Sequence, residues 1–197
     1  MRRTIALLVV ATLSLSQYAC APLVVAGAAA GTTTAVVERR TAGAVLEDQT
    51  IELKVADKVE KDEALRDTAR IRATSYNTIV LLTGEAPNEN LRNRAAELAR
   101  SVEKVSRVHN EITIGEPKPF QSSSNDTWIT TKVKTALTRE KNLNPLHVKV
   151  VTEKGTVFLM GIVTHSEGER AAILASQVKG VQRVVKIFEF IEEDKAQ

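Results

Sequence analysis

The chain holds a single cysteine in 197 residues, so no intramolecular disulfide framework and no cysteine zinc cluster can be built from it. Its three histidines, His109, His147 and His165, lie too far apart for a metal-ligand spacing such as His-x-x-x-His. There is no Gly-rich phosphate loop and no Gly-x-Ser-x-Gly elbow. Acidic residues are plentiful, but none pair up at a spacing that places two carboxylates in a cleft. Five prolines and nine glycines exclude a collagenous or low-complexity chain, and 43% apolar residues exclude wholesale disorder. The charge excess is small, +3 over the full chain, and two of those charges are Arg2 and Arg3. Without them the balance is +1, which argues against a nucleic-acid binder with a broad basic surface. These absences speak against an enzyme, a metal site or a cofactor.

Long apolar runs are scarce too. Ile5–Leu15 is the most prominent, at eleven residues, and a span needs roughly twenty. Preceded by Arg2 and Arg3 and followed by small residues, it has the layout of a secretory signal. The lone Cys20 lies five residues beyond, after Ala19. The segment resembles the signal of bacterial lipoproteins, in which that cysteine is acylated and becomes the first residue of the mature chain. Gln17 departs from the Leu usual three residues before the cysteine. Ala21 stands where an Asp would retain an enterobacterial lipoprotein in the inner membrane, so the resemblance implies the periplasmic face of the outer membrane. Residues 1–19 are thus read as signal, and 20–46 as lipidated N-terminus and tether.

The remainder is one module written twice. Lys54-Val55 and Val59 match Lys132-Val133 and Leu137 at an offset of 78, and Ile71, Val80, Leu82 and Gly84 match Val148, Val157, Leu159 and Gly161 at 77. Ala95-Ala96, Ala99, Val102 and Val105 match Ala171-Ala172, Ala175, Val178 and Val181 at 76. The copies cover 47–115 and 124–191, and the Pro- and Ser-containing 116–123 reads as a linker before a short tail, 192–197.

Each copy predicts helix–strand–strand–helix–strand. In the second, Asn125 or Asp126 caps a helix to about Glu140 whose buried face is Ile129, Val133, Ala136 and Leu137. Val148 and Val150 alternate with polar neighbours as in a strand, Glu153-Lys-Gly155 supplies a turn, and Thr156–Val163 returns. Ser166 and Glu169 form a capping box for a helix burying Ala171, Leu174, Ala175 and Val178. Val184–Ile191 is the third strand. Gly84 and Gly161 hold one position in the two copies and are read as sites where a helix packs closely on its strand.

This pattern resembles the BON domain, most specifically over Ser124–Val133 and Val157–Thr164. The resemblance implies an α+β fold, two tandem αββαβ domains, each with two helices on a three-stranded mixed sheet. It also implies binding of anionic phospholipid through the second domain, and a part in outer-membrane integrity.

The copies differ in charge. Residues 47–115 carry eleven Lys+Arg against thirteen Asp+Glu, a net −2, and 124–191 carry ten against six, a net +4. The only tryptophan lies in the cationic copy. At 100° per residue Trp128, Lys132, Thr135 and Arg139 form a stripe turned away from the core, and Leu137, at the edge of the buried face, is expected to share in lipid contact. The first copy has Thr50, Lys54, Asp57 and Lys61 there. A tryptophan among cations suits a phosphatidylglycerol-like membrane surface. Two other partners fit the stripe: the first domain, because modules this small gain stability by docking, and an envelope protein such as the outer-membrane assembly machinery.

Overall fold

A computed structural model describes residues 38–117 and 123–192. The signal, Cys20 and the first part of the tether lie outside these residues, as do most of the linker and tail. Two modules of like design are joined in one compact unit.

Helix α1 (Ala42–Lys61) is started by Thr41, whose Oγ1 accepts from Ala44 N at 3.1 Å, and it buries Ile51 and Val55 at helical spacing. It begins five residues before the expected boundary, so Ala42–Leu46 are helix rather than tether. A one-turn helix α2 (Glu63–Arg66) follows. Strands β1 (Arg70–Tyr76) and β2 (Ile79–Ala86) make an antiparallel hairpin, and α3 (Glu89–Arg100) packs Ala95, Ala96 and Ala99 on it. The third strand of this copy is interrupted. β3 (Arg107–Asn110) and β4 (Thr113–Ile114) both run parallel to β2, and between them Ile112 turns into the core.

The second module repeats the plan with α4 (Ser123–Arg139), a 3₁₀ turn at Pro145–His147, β5 (Val148–Glu153), β6 (Thr156–Thr164), α5 (His165–Ser176) and an unbroken β7 (Arg183–Ile191). The sheet order is β5-β6-β7, antiparallel then parallel. Ile129, Val133 and Leu137 from α4 meet Ala171 and Ala175 from α5 over Val157 and Leu159. Helix α5 is capped two residues earlier than expected. Thr164 is the N-cap, and Glu167 returns the second bond of the capping box.

Both glycines are close-approach sites, though not for a helix. A Cβ on Gly84 would stand 1.9 Å from the Arg70 carbonyl oxygen, and one on Gly161 would stand 2.2 Å from that of His147. The partner strand's backbone occupies the space, so the expectation of helix packing is corrected. Gly84 also has φ +120°, a conformation that only glycine adopts readily.

The two sheets pack face to face. Tyr76, Ile79 and Leu81 of the first form one buried cluster with Phe158, Met160 and Ile187 of the second. All eight residues of β2 are buried, by helices on one side and by the other module on the other. Charge follows the same seam. Lys149 pairs with Glu52 at 2.9 Å, Arg183 with Glu111 at 3.1 Å and Arg70 with Glu153 at 3.1 Å, while Lys154 reaches the buried Glu85. Three of these four pairs join a cation of the basic copy to an acid of the acidic one. Part of the charge asymmetry is therefore complementarity between the domains.

Candidate functional site: the exposed face of helix α4

Helix α4 is held by its inner face, and that fixes which side chains look outward. Ile129, Val133 and Leu137 are each no more than 1% exposed, at successive i, i+4 positions. Asp126 does not cap the helix as expected. Its buried carboxylate accepts from Lys154 N at 2.8 Å and Gly155 N at 2.9 Å, clasping the β5–β6 turn to α4. In the first copy Asp48 does the same for the β1–β2 turn, taking Asn77 N at 2.8 Å, Thr78 N at 2.9 Å and the Ser75 hydroxyl at 2.7 Å. Burial pushes the Asp48 carboxyl up, but these bonds and Arg40 outweigh it and hold it below the usual carboxylate range. The turns need such a clasp. Asn77, Thr78 and Lys154 all take positive φ, and in the second copy the residue after Lys154 is Gly155.

Trp128, Lys132, Thr135 and Arg139 all lie on the outer face, exposed. Trp128 is 44% exposed, large for an indole, and the Lys132 ammonium lies 5.5 Å from its ring centroid. Among the described residues Lys132 and Arg139 have no carboxylate partner, so both charges remain available. The Thr135 hydroxyl donates to the Thr131 carbonyl at 2.8 Å and keeps its lone pairs outward. Leu137 is the exception among the expected contact residues. It is 1% exposed and belongs to the core, because Leu143 and the 3₁₀ turn after α4 cover that side. It cannot reach a surface without leaving the fold, and the expectation that it shares in lipid contact is corrected. The buried cluster that joins the two modules is built from the sheets, and Trp128 is not among its residues.

The histidines are engaged in structure. His109 lies on β3 in the sheet interface, half-buried, with Nε2 unpaired, and burial together with Arg107 holds it below its ordinary pKa. His147 is buried with its ring nitrogen 3.0 Å from Asn144 Nδ2, and His165 stacks on Phe190 at 4.0 Å. No group of three or more metal-ligating side chains converges among the described residues. No helix among them is long and apolar enough to cross a membrane.

One set of contacts had no signal in the reading of the tether. Arg39 donates to the Ile162 carbonyl at 2.8 Å and to Glu167 at 2.6 Å, both in the second module. Arg40 pairs with Asp48 at 2.9 Å and lies 3.8 Å over the Tyr76 ring. The residues entering α1 thus strap the two modules together.

Comparison with known proteins agrees with the repeat. The BON domain model matches twice, at residues 47–116 and 125–191. The chain is 38% identical over 190 residues to a Haemophilus influenzae protein named outer membrane lipoprotein DolP, covering 96% of this chain and 97% of that one. It is 37% identical over 156 residues to a 21 kDa hemolysin of Actinobacillus pleuropneumoniae, covering 79% and 80%. It is also 27% identical over 145 residues to the osmotically-inducible protein Y of Escherichia coli, covering 72% of each. None of the three is named for a catalysed reaction. With two complete copies of the module and this likeness along nearly its whole length, the chain belongs to the BON domain family, as a dual-BON outer-membrane lipoprotein.

Proposed function

We propose that the protein is a non-catalytic, Cys20-anchored component of the outer membrane that binds anionic phospholipid through helix α4 of its second domain and supports membrane integrity. The observation that carries this reading is an exposed indole beside a lysine that has no carboxylate partner among the described residues, on the outer face of helix α4. Indole rings favour headgroup depth, where an apolar body and a polar N–H are both satisfied. Lys132 and Arg139 supply attraction of about 1 kcal/mol each at an anionic surface. Ile129, Val133 and Leu137 contribute by holding the helix, not by touching lipid.

The chain from Ala21 onward contains the whole compact unit and is the material for the test. Co-sedimentation with phosphatidylglycerol vesicles, weakening as salt rises, is the expected result. Equal binding to phosphatidylcholine, or to neither, overturns the lipid reading; binding to neither leaves the same face to a protein partner. For the anchor, mass spectrometry of the mature protein should find a diacylglyceryl Cys20 as its first residue. A mature chain starting elsewhere overturns it.

A further inference from the structure

The first copy has no aromatic stripe on α1, but it has something the second lacks. Leu46 is 63% exposed and Leu53 72%, one above the other at i, i+7, with the exposed Ala56 a turn further on. The second copy has Ser124, Thr131 and Lys134 at those positions. Leu53 and Ala56 face Ile71 and Ala73 of β1 across a groove of about 500 Å³. Among the described residues β1 is the edge of its sheet, paired with β2 alone. Its outer backbone is identifiable. Ser75 N donates away from the sheet to Glu52 at 2.7 Å, and Ser75 O accepts Lys149 at 3.0 Å. Backbone direction alternates along an antiparallel strand, and the β1–β2 register is unbroken from Arg70 to Tyr76. The N–H and C=O groups of Ile71 and Ala73 therefore point outward as well, with no strand against them.

A second groove, about 670 Å³, meets β1 from the side of the other domain. Its carboxylates are engaged, Glu52 with Lys149, Glu153 with Arg70 and Asp126 with the β5–β6 turn, whereas Arg72 and Lys134 in the same lining have no carboxylate partner among the described residues. An exposed edge strand ordinarily carries some guard against pairing; here Glu52 and Lys149 occupy the Ser75 end and Arg72 charges the strand, while an apolar groove lies beside Ile71 and Ala73.

We propose that the edge of β1 receives an extended polypeptide as an added strand, with apolar side chains alternating with acidic ones. The period of two in a strand sends alternate side chains to opposite faces. One set enters the Leu53–Ala56 groove, and the other meets Arg72 and Lys134. Ile71 and Ala73 supply the backbone hydrogen bonds, which give affinity while the grooves give selectivity. The β1 edge and the Leu53–Ala56 groove do not include Trp128 or Lys132, but the site borders the lipid stripe at Lys134, which shares a further groove with Thr135 and Arg139.

The probe is a blocked heptapeptide of alternating Glu and Val, added to the chain from Ala21 onward. Amide hydrogen exchange and amide NMR shifts are read residue by residue. Exchange at Ile71 and Ala73 should slow by roughly tenfold or more on saturation, and the shifts should centre on β1 and α1. Leu53→Glu should weaken binding roughly tenfold without unfolding, since Leu53 is already exposed. Ala73→Pro, which removes one outward N–H, should abolish it. The Lys-Val heptapeptide should not bind. The proposal is overturned if folded Leu53→Glu and Ala73→Pro bind as wild type, if the Lys-Val peptide binds equally, or if the shifts centre on Trp128. Protection of Ile71 and Ala73 by phosphatidylglycerol vesicles, and not by the peptide, would make this edge a membrane contact and overturn it too.

Discussion

The two modules share a backbone plan and differ in what they leave on the surface. Both start with a helix that buries Ile and Val at i, i+4 and clasps a hairpin turn with one aspartate, Asp48 or Asp126. On the outer face the first copy has Leu46, Thr50 and Leu53 where the second has Ser124, Trp128 and Thr131. Duplication has kept the core and the turn clasp and released the solvent side. The difference separates what the fold requires from what a particular surface does, because a position that must be alike in both copies belongs to the fold.

The largest break in that comparison comes at the paired glycines. Gly161→Val should destabilise the protein by about 3 kcal/mol, the upper end of overpacking, because the β5 backbone cannot move away without losing its ladder. Gly84→Val should cost more still, since positive φ adds to the clash. Thermal melts of both variants measure it. An equal loss would show that the conformation at Gly84 adds nothing.

Next in size are the aspartate clasps. Asp48→Ala leaves the Asn77 and Thr78 amides without their acceptor and should cost about 2 kcal/mol, and Asp126→Ala should cost a similar amount. Asp48 also has a pH dependence. The folded pKa of Asp48 is lowered, so its stabilisation is full above the unfolded carboxylate value near 4 and is lost as pH falls through the lower folded value. Asp48→Asn should flatten that acid limb in urea melts from pH 5 to pH 2. An unchanged acid limb would show that Asp48 is not its source.

These residues show where the sequence is legible. The repeat, the element order and the buried faces of α4 and α5 follow from spacing alone, because a helix or strand on a core has a fixed period. The sheet-to-sheet docking has no period of its own. Its trace is the near-continuous apolar runs Ile79–Leu82 and Val157–Met160, which are strands buried on both faces. The aspartate clasps act across a gap of some 28 residues, and their only sequence signal is that Asp48 and Asp126 share the offset of 78. A helical wheel puts Leu137 at the edge of the buried face, and it contains nothing of the 3₁₀ turn that closes that edge to lipid. Lys149, Lys154 and Arg183 enter the +4 of the second copy, and a charge count contains nothing of their pairing with Glu52, Glu85 and Glu111.

That pairing gives the smallest expected effect. Arg183→Glu should lower stability by about 0.5 kcal/mol, as partly exposed pairs do, and Glu111→Arg in the same chain should restore most of it. Denaturant melts of the two single variants and the double variant close the cycle. Additive losses would remove the charge seam from the account of docking.

The central claim is that the membrane surface belongs to the second copy and depends on Trp128. Co-sedimentation of Trp128→Glu and Thr50→Glu with phosphatidylglycerol vesicles, with circular dichroism on both variants, tests it most directly. The account predicts two folded proteins, the first no longer bound and the second bound like wild type. Folded Trp128→Glu protein that still binds as wild type would contradict it.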